Sequence, residues 1–204
     1  MPARSAALTR FDCFVGGFAL GAIALHDYAH ISEGRWYDVF WVCNLAALLV
    51  GPGVLLRSAS LSIAALTWIV PGTIVWLLDA VLAGSNLLPT SYGVHVGGSL
   101  AAAYAVWRAG YAKSSVWLTA SLPMGAILFS RVFLPREQNV NGAYGVPKGW
   151  GFLGESWWSF LAVSTLISLV MVALGLLAAA GIARLGRGTS QGRGAAGSSG
   201  TLGS

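Results

Sequence analysis

The sequence contains few charged residues. Only 9% of its 204 residues are Asp, Glu, Lys or Arg, whereas 56% are hydrophobic; soluble domains carry about 25% charged residues. This composition excludes an ordinary water-soluble domain. The 12 basic and 7 acidic residues give a formal net charge of +5, but no basic patch interleaved with aromatic residues accompanies it, so we expect no nucleic-acid partner.

Cysteine and histidine are also scarce. The two cysteines, Cys13 and Cys43, are predicted near opposite ends of different helices, and a disulfide requires Cα atoms within about 7 Å. We therefore interpret both as free thiols. The three histidines are His26, His30 and His95. The sequence contains no GxSxG or HExxH motif that would identify a hydrolase directly.

Long apolar runs are what the chain has in abundance. They cover residues 11–25, 39–56, 60–84, 91–107, 115–134 and 157–183, and with its flanks each is long enough to cross a hydrocarbon layer of about 30 Å. None alternates polar and apolar residues as a transmembrane barrel does. We predict an all-α, polytopic membrane protein with six transmembrane helices in residues 1–185. Residues 186–204, rich in Gly, Ser and Arg, are predicted to be a disordered tail.

Basic residues predict the orientation. With the N-terminus in the cytoplasm, all but four of the 12 Lys and Arg residues lie on the cytoplasmic side, as the positive-inside rule requires. Both termini are then cytoplasmic, and we expect a bacterial inner membrane or plasma membrane. A cleaved N-terminal secretory signal is the alternative. Asp12 and the Gly17-xxx-Gly21 spacing favour a retained helix that packs closely on a neighbour.

Four polar residues fall inside three of the apolar runs at a common depth. Cys43, Asn44, Asp79 and His95 each lie five or six residues from the predicted outer boundary, which is roughly 8 Å at 1.5 Å per residue. Polar groups at such depth are costly and usually mark function. We predict that they line one pocket open to the outer face. Arg131, near the end of the fifth helix, is the predicted counter-charge of Asp79.

This set of residues suits nucleophilic chemistry. Cys43 can act as nucleophile, His95 as base and Asp79 as the group that orients the imidazole. Such a site would serve acyl transfer or ester hydrolysis on membrane lipids and requires no cofactor. In the alternative the chain is a non-catalytic membrane subunit, and its polar layer binds a cofactor, a lipid headgroup or a partner protein. The structural interpretation of Cys43 is that of a small buried side chain, since a buried cysteine is usually inert.

Two further groups of residues bear on the site. His26 and His30 lie at i and i+4, a spacing that lets two imidazoles hold one metal, although aromatic and histidine rings also collect at membrane interfaces; we name them as metal candidates and predict no metal. The same histidines would also allow haem to bind between one of them and His95, an interpretation that the sequence supports no better. The loop at 135–156 is predicted to cap the pocket or to anchor in the headgroup layer. The predicted substrate contacts are Asn44, Arg131, Asn141 and Tyr144.

Some of these residues resemble a known family. Its marks here are the Cys43-Asn44 pair in helix 2, Asp79 in helix 3, His95 in helix 4, and Asn141, Tyr144 and Pro147 before helix 6. This pattern resembles the bacterial YwaF-like proteins and their relative, transmembrane protein 164. The resemblance implies a phospholipid acyltransferase with Cys43 as nucleophile and His95 as base. The sequence departs from the family at residues 40–42, where a His or Pro is expected, and at Leu78, where a Pro is expected.

Overall fold

The computed structural model describes residues 7–82, 84 and 88–196, with side chains to residue 185, and every element in this part of the chain is helical. The long helices are α1 (Arg10–Ser32), α2 (Val42–Leu55), α3 (Ala59–Leu82), α4 (the consecutive segments Pro89–Tyr92, Gly93–Gly97 and Gly98–Ala109), α5 (Ser115–Phe133) and α6 (Trp157–Ala196). Short 3-10 helices lie at Trp36–Phe40, Arg136–Gln138, Val140–Gly142 and Gly151–Leu153. The all-α prediction is confirmed for these residues.

Three helices are long and apolar enough to cross a membrane: α3, α5 and the part of α6 from Trp157 to Leu185. Helix α2 is also apolar but shorter, with 14 residues. The membrane character of the chain is thus confirmed by the length and composition of three helices. Helix α6 continues to Ala196, beyond the predicted boundary at 185. Residues 197–204 lie outside the described part, so the disordered tail stays a prediction.

Helix α3 is the centre of the bundle. Every residue from 62 to 69 is buried, which requires neighbours on all sides of the helix, and α3 packs against α2, α4, α5 and α6. Small side chains such as Ala46, Ala65 and Ala102 fill the interior, because helices surrounded by lipid associate through close packing rather than a hydrophobic driving force. Trp68 Nε1 donates to the carbonyl of Thr119, 2.7 Å away, and fixes α3 to α5.

Glycine does bring α1 and α2 together, but not at the predicted positions. Gly17 and Gly21 face open space, so the prediction that this pair forms the packing surface is wrong. The contact uses Gly16 and Gly51 instead: a Cβ at Gly51 would lie 2.5 Å from Cγ of Leu20. Gly16 and Gly17 differ by about 100° around the helix, and the four-residue spacing alone does not say which direction faces the neighbour.

The most densely bonded polar group lies where α1 begins. Asp12 is only 1% exposed and forms a capping box with Thr9 at the start of the helix. Its Oδ1 accepts from Tyr104 Oη at 2.6 Å and from Arg108 Nε at 3.0 Å. Its Oδ2 accepts from Arg57 at 2.8 Å and from Arg108 Nη2 at 3.0 Å. We call these five residues the Asp12 cluster.

The Asp12 cluster ties together the start of α1, the turn between α2 and α3, and the end of α4. Arg57 holds this position with a positive φ of 51°, which is uncommon outside glycine. The pocket predicted from the sequence lies toward the outer face of the bundle. The structure shows that a strong polar centre also occupies the opposite end.

The Asp12 cluster predicts a large stability loss on removing its carboxylate. Asp12→Ala would leave two guanidinium groups facing one another, and breaking a buried ion pair in this way costs about 3 kcal/mol. Tyr104→Phe removes a single hydrogen bond to the charge and should cost about 1.5 kcal/mol. Denaturant unfolding in detergent micelles measures both.

Glu33→Ala provides the matched control. Glu33 pairs with Arg35 at 2.6 Å with nearly half of its side chain exposed, and exposed pairs contribute less than about 1 kcal/mol. Equal losses for Asp12→Ala and Glu33→Ala would show that the cluster does not stabilise the bundle.

Candidate functional site

The predicted site residues lie at the end of the bundle where α1 ends and α2 and α4 begin. We call it the histidine end. Within it, His26, His30, Asp38 and Thr90 form a connected group, which we call the histidine cluster. His26 is 2% exposed and His30 9% exposed, so both rings are inside the protein. The interpretation of His26 and His30 as interfacial histidines stays a prediction, with both rings packed against protein.

The two histidines of α1 face each other directly. Nε2 of His26 and Nε2 of His30 are 3.1 Å apart, and the rings are nearly perpendicular, with centroids separated by 4.4 Å. This follows from the i, i+4 spacing, which places both side chains on one helix face. On the far side of its ring, Nδ1 of His26 lies 3.0 Å from Oγ1 of Thr90, at the start of α4.

Asp38 connects His30 to the start of α2. Its Oδ2 is 3.1 Å from Nδ1 of His30, which is an ion-pair distance, but Nδ1 lacks the alignment of a hydrogen bond. The other carboxylate oxygen accepts from Trp41 Nε1 at 3.1 Å. The Asn44 amide donates to the Asp38 backbone carbonyl at 2.9 Å. Asn44, a predicted substrate contact, is thus buried and bonded to the backbone.

His95 lies in a π-helical turn of α4, Gly93–Gly97, a distortion that is frequent at functional sites. Its ring stacks on Trp76 of α3, with centroids 4.7 Å apart and planes 12° from parallel. Its backbone carbonyl accepts from Oγ1 of Thr73 at 3.2 Å. The residue is 2% exposed, and its Nδ1 is buried with no hydrogen-bond partner among the described residues.

Cys43 and His95 pack against adjacent turns of α3 without a hydrogen bond between them. The Cys43 Cβ lies 2.7 Å from where a Cβ at Gly72 would be, one turn from Trp76, on which His95 stacks. The thiol contacts Oδ1 of Asn44 at 4.0 Å. Among the hydrogen bonds of the described residues, none joins the predicted nucleophile Cys43 to the predicted base His95.

Asp79 and Arg131 have different partners. Asp79 accepts from Trp150 Nε1 of the long loop at 3.1 Å. The exposed Arg131 donates to the carbonyl of Ala143 at 2.7 Å, and its guanidinium lies over the ring of Trp157, 4.6 Å from the centroid. A flat, weakly hydrated guanidinium favours such stacking. The predicted ion pair is not among those found in the described part of the chain.

The long loop is folded onto the ends of α2 and α5. The Asn141 amide donates to the carbonyl of Phe40 at 2.9 Å and to Oγ of Ser130 at 3.0 Å, while its Oδ1 accepts from the backbone of Val42 at 2.9 Å. Tyr144 donates to backbone carbonyls at the end of α5. Asn141 and Tyr144, predicted to contact substrate, therefore hold the loop in place.

Two open grooves mark the surface of the bundle, and both are apolar. A groove of about 420 Å³ runs between α2 and α5, and one of about 300 Å³ runs between α1 and α4. Cys43, Asp79 and His95 line neither of them. Within the described residues, no group of three or more His, Cys, Asp or Glu side chains is arranged to hold a metal.

The sequence does not identify the partners that organise this end. Asp38 and Thr90 were not singled out, although Asp38 is an acidic residue beside an apolar run and was a recognisable candidate for pairing. Trp76 gave no signal, because one Trp among nine in an apolar helix has no distinguishing neighbour.

Comparisons with protein-family models, with curated proteins and with solved structures found no match for this chain. The resemblance to the YwaF-like proteins therefore rests on its few residues and stays a prediction.

The contacts of Asn141 predict graded effects of substitution. Asn141→Ala removes three hydrogen bonds from partly buried backbone and side-chain groups and should destabilise the protein by about 2 kcal/mol. Asn141→Asp keeps the acceptor for Val42 but loses both donors, so its loss should be intermediate. Thermal unfolding in detergent tests this order. If Asn141→Ala is as stable as the wild type and binds less ligand, the side chain is a ligand contact instead.

Proposed function

We propose that this chain is a non-catalytic membrane protein that binds a polar ligand at its histidine end. The observation that carries the proposal is the unpartnered, buried Nδ1 of His95 among the described residues. A buried polar atom without a partner costs about 1–3 kcal/mol, so such atoms usually meet water, an ion or a ligand. A small cofactor or a lipid headgroup would supply the missing contact.

A second buried atom supports the same function. Oδ1 of Asp27, the residue after His26, is also buried and has no hydrogen-bond partner in the described part of the chain. In a membrane protein, ionisable groups placed inside the bundle usually mark a substrate or ion site. The histidine end thus combines three buried imidazoles with a carboxylate atom that lacks a partner.

The ligand should remain bound during purification in a mild detergent. We expect native mass spectrometry or an absorption spectrum to reveal a bound species in the wild-type protein that is lost in His95→Ala. Tyr28→Ala is the matched control, because Tyr28 lies on α1 near the same end but is 69% exposed. A wild-type protein free of any bound species, with unfolding that does not respond to added lipid or cofactor, would refute ligand binding.

The proposal includes a topology in which all six helices cross the membrane and both termini are cytoplasmic. Helix α1 has 23 residues and is about 35 Å long at 1.5 Å per residue. Helix α2 is shorter, but the 3-10 helix at Trp36–Phe40 precedes it directly. The distribution of Lys and Arg supports the orientation.

Cysteine accessibility tests this topology. A cysteine at Gln138 should react with a membrane-impermeant reagent added outside, whereas one at Lys113 should react only after the membrane is opened. Both positions are exposed, so protection reflects the side of the membrane and not burial in the protein. The endogenous Cys13 is replaced by Ser beforehand because it is exposed. The reverse pattern would place the histidine end in the cytoplasm.

A lipid acyltransferase or hydrolase is the second candidate function. It is favoured by one observation, the packing of Cys43 and His95 against adjacent turns of α3. A rearrangement that brings them together would activate the thiol, since the thiolate is the nucleophile.

The reactivity of Cys43 distinguishes the two functions. If the protein only binds ligand, Cys43 should react with a small alkylating reagent more slowly than Cys13, which is exposed, and His95→Ala should leave that rate unchanged. If it is catalytic, Cys43 should react faster than an ordinary thiol, and His95→Ala should abolish the excess. Release of fatty acid from added phospholipid, lost in Cys43→Ala, would establish the catalytic function.

A further inference from the structure

We propose that His26 and His30 form a binding site for a divalent transition metal of the zinc, copper and nickel class, with Asp38 and Thr90 orienting the two rings. This inference rests on the proposed function, because it names the ligand class of the histidine end. Its basis is the placement of both Nε2 atoms and both Nδ1 atoms, which the i, i+4 spacing alone does not determine.

The separation of the two Nε2 atoms suits a shared ion. Zinc-bound imidazole nitrogens lie about 2.0–2.1 Å from the metal, so two of them at tetrahedral or right angles are roughly 2.9–3.4 Å apart. The observed separation is 3.1 Å. The ring centroids are only 4.4 Å apart, which means that the rings converge side by side and do not meet end to end as in a linear hydrogen bond.

The far sides of the rings carry the contacts that metal ligands usually have. Ligating histidines generally present their other nitrogen to a carboxylate, a carbonyl or water, which fixes the tautomer. Here Nδ1 of His30 lies 3.1 Å from the Asp38 carboxylate, and Nδ1 of His26 lies 3.0 Å from the Thr90 hydroxyl.

The two Nε2 atoms are hydrogen-bonded to each other, so a proton on one of them lies between the two rings. A divalent metal ion would take the place of that proton, because a metal-ligating imidazole offers a lone pair from the nitrogen. The Asp38 carboxylate lies 3.1 Å from Nδ1 of His30 and places negative charge beside that ring, although no hydrogen bond joins the two atoms.

The donor set selects the metal. Imidazole nitrogens suit zinc, copper and nickel, whereas calcium and magnesium require oxygen ligands. The described residues place no third side chain in ligand position, so water must complete the coordination. Asp27, next to His26, has a buried Oδ1 that is free to accept a hydrogen bond from such a water.

The test uses the full chain, purified without a polyhistidine tag, stripped with a chelator and titrated with Zn²⁺, Ni²⁺ or Cu²⁺ alone. We expect one ion per chain, and for Cu²⁺ an electron paramagnetic resonance spectrum showing two equivalent nitrogens. His26→Ala and His30→Ala should each weaken binding at least tenfold. Asp38→Asn should weaken it about tenfold through the orientation of His30, whereas Glu33→Gln and Tyr28→Ala should leave it unchanged.

The wild-type titration decides the question even if a variant fails to fold. No metal bound by the folded wild type, or equal binding by a folded His26→Ala, His30→Ala double variant, would overturn the metal site. If the wild type binds no metal but retains another species that His95→Ala releases, the metal inference fails and the proposed function stands. If neither metal nor any other species binds, both fail.

Discussion

The structure depends on one constraint: a polar side chain inside this bundle must find its partner within the protein. Lipid offers no hydrogen bonds, so a buried charge needs an opposite charge or several donors. Asp12 meets the requirement with five hydrogen bonds from four residues. The Asp12 cluster in turn fixes the start of α1 to the turn before α3 and to the end of α4.

The same constraint explains why polar residues that look functional in the sequence have structural roles. The amides of Asn44 and Asn141 bind backbone groups at the start of α2, and Arg131 binds a loop carbonyl and an aromatic ring. Such contacts give hydrogen-bond partners to backbone N–H and carbonyl groups that the irregular loop and the helix ends would otherwise leave without partners. His95 stands apart because its Nδ1 has no such contact within the described residues.

The sequence predicted the helices better than the site, for a physical reason. The length of an apolar run indicates the length of a helix. Counting residues from the end of that run gives the depth of a side chain below the predicted membrane boundary, so the helices and the common depth of Cys43 and His95 could be estimated. Depth does not determine the direction in which a side chain leaves its helix. The sequence therefore provides no basis for a predicted contact between Cys43 and His95. The placement of His26 and His30 on one helix face could be predicted, because both residues belong to the same helix. The sequence also does not show which side of α1 faces α2. For this reason the prediction chose Gly17, although Gly16 makes the contact.

The Asp12 cluster also constrains the order of assembly during synthesis. Arg57 and Arg108 follow Asp12 by 45 and 96 residues, so the ribosome delivers the carboxylate long before its second guanidinium. Until α4 is made, Asp12 has Arg57 as its guanidinium partner but lacks the hydrogen bonds from Tyr104 and Arg108. The Asp12 cluster can therefore be completed only after the fourth helix has been made.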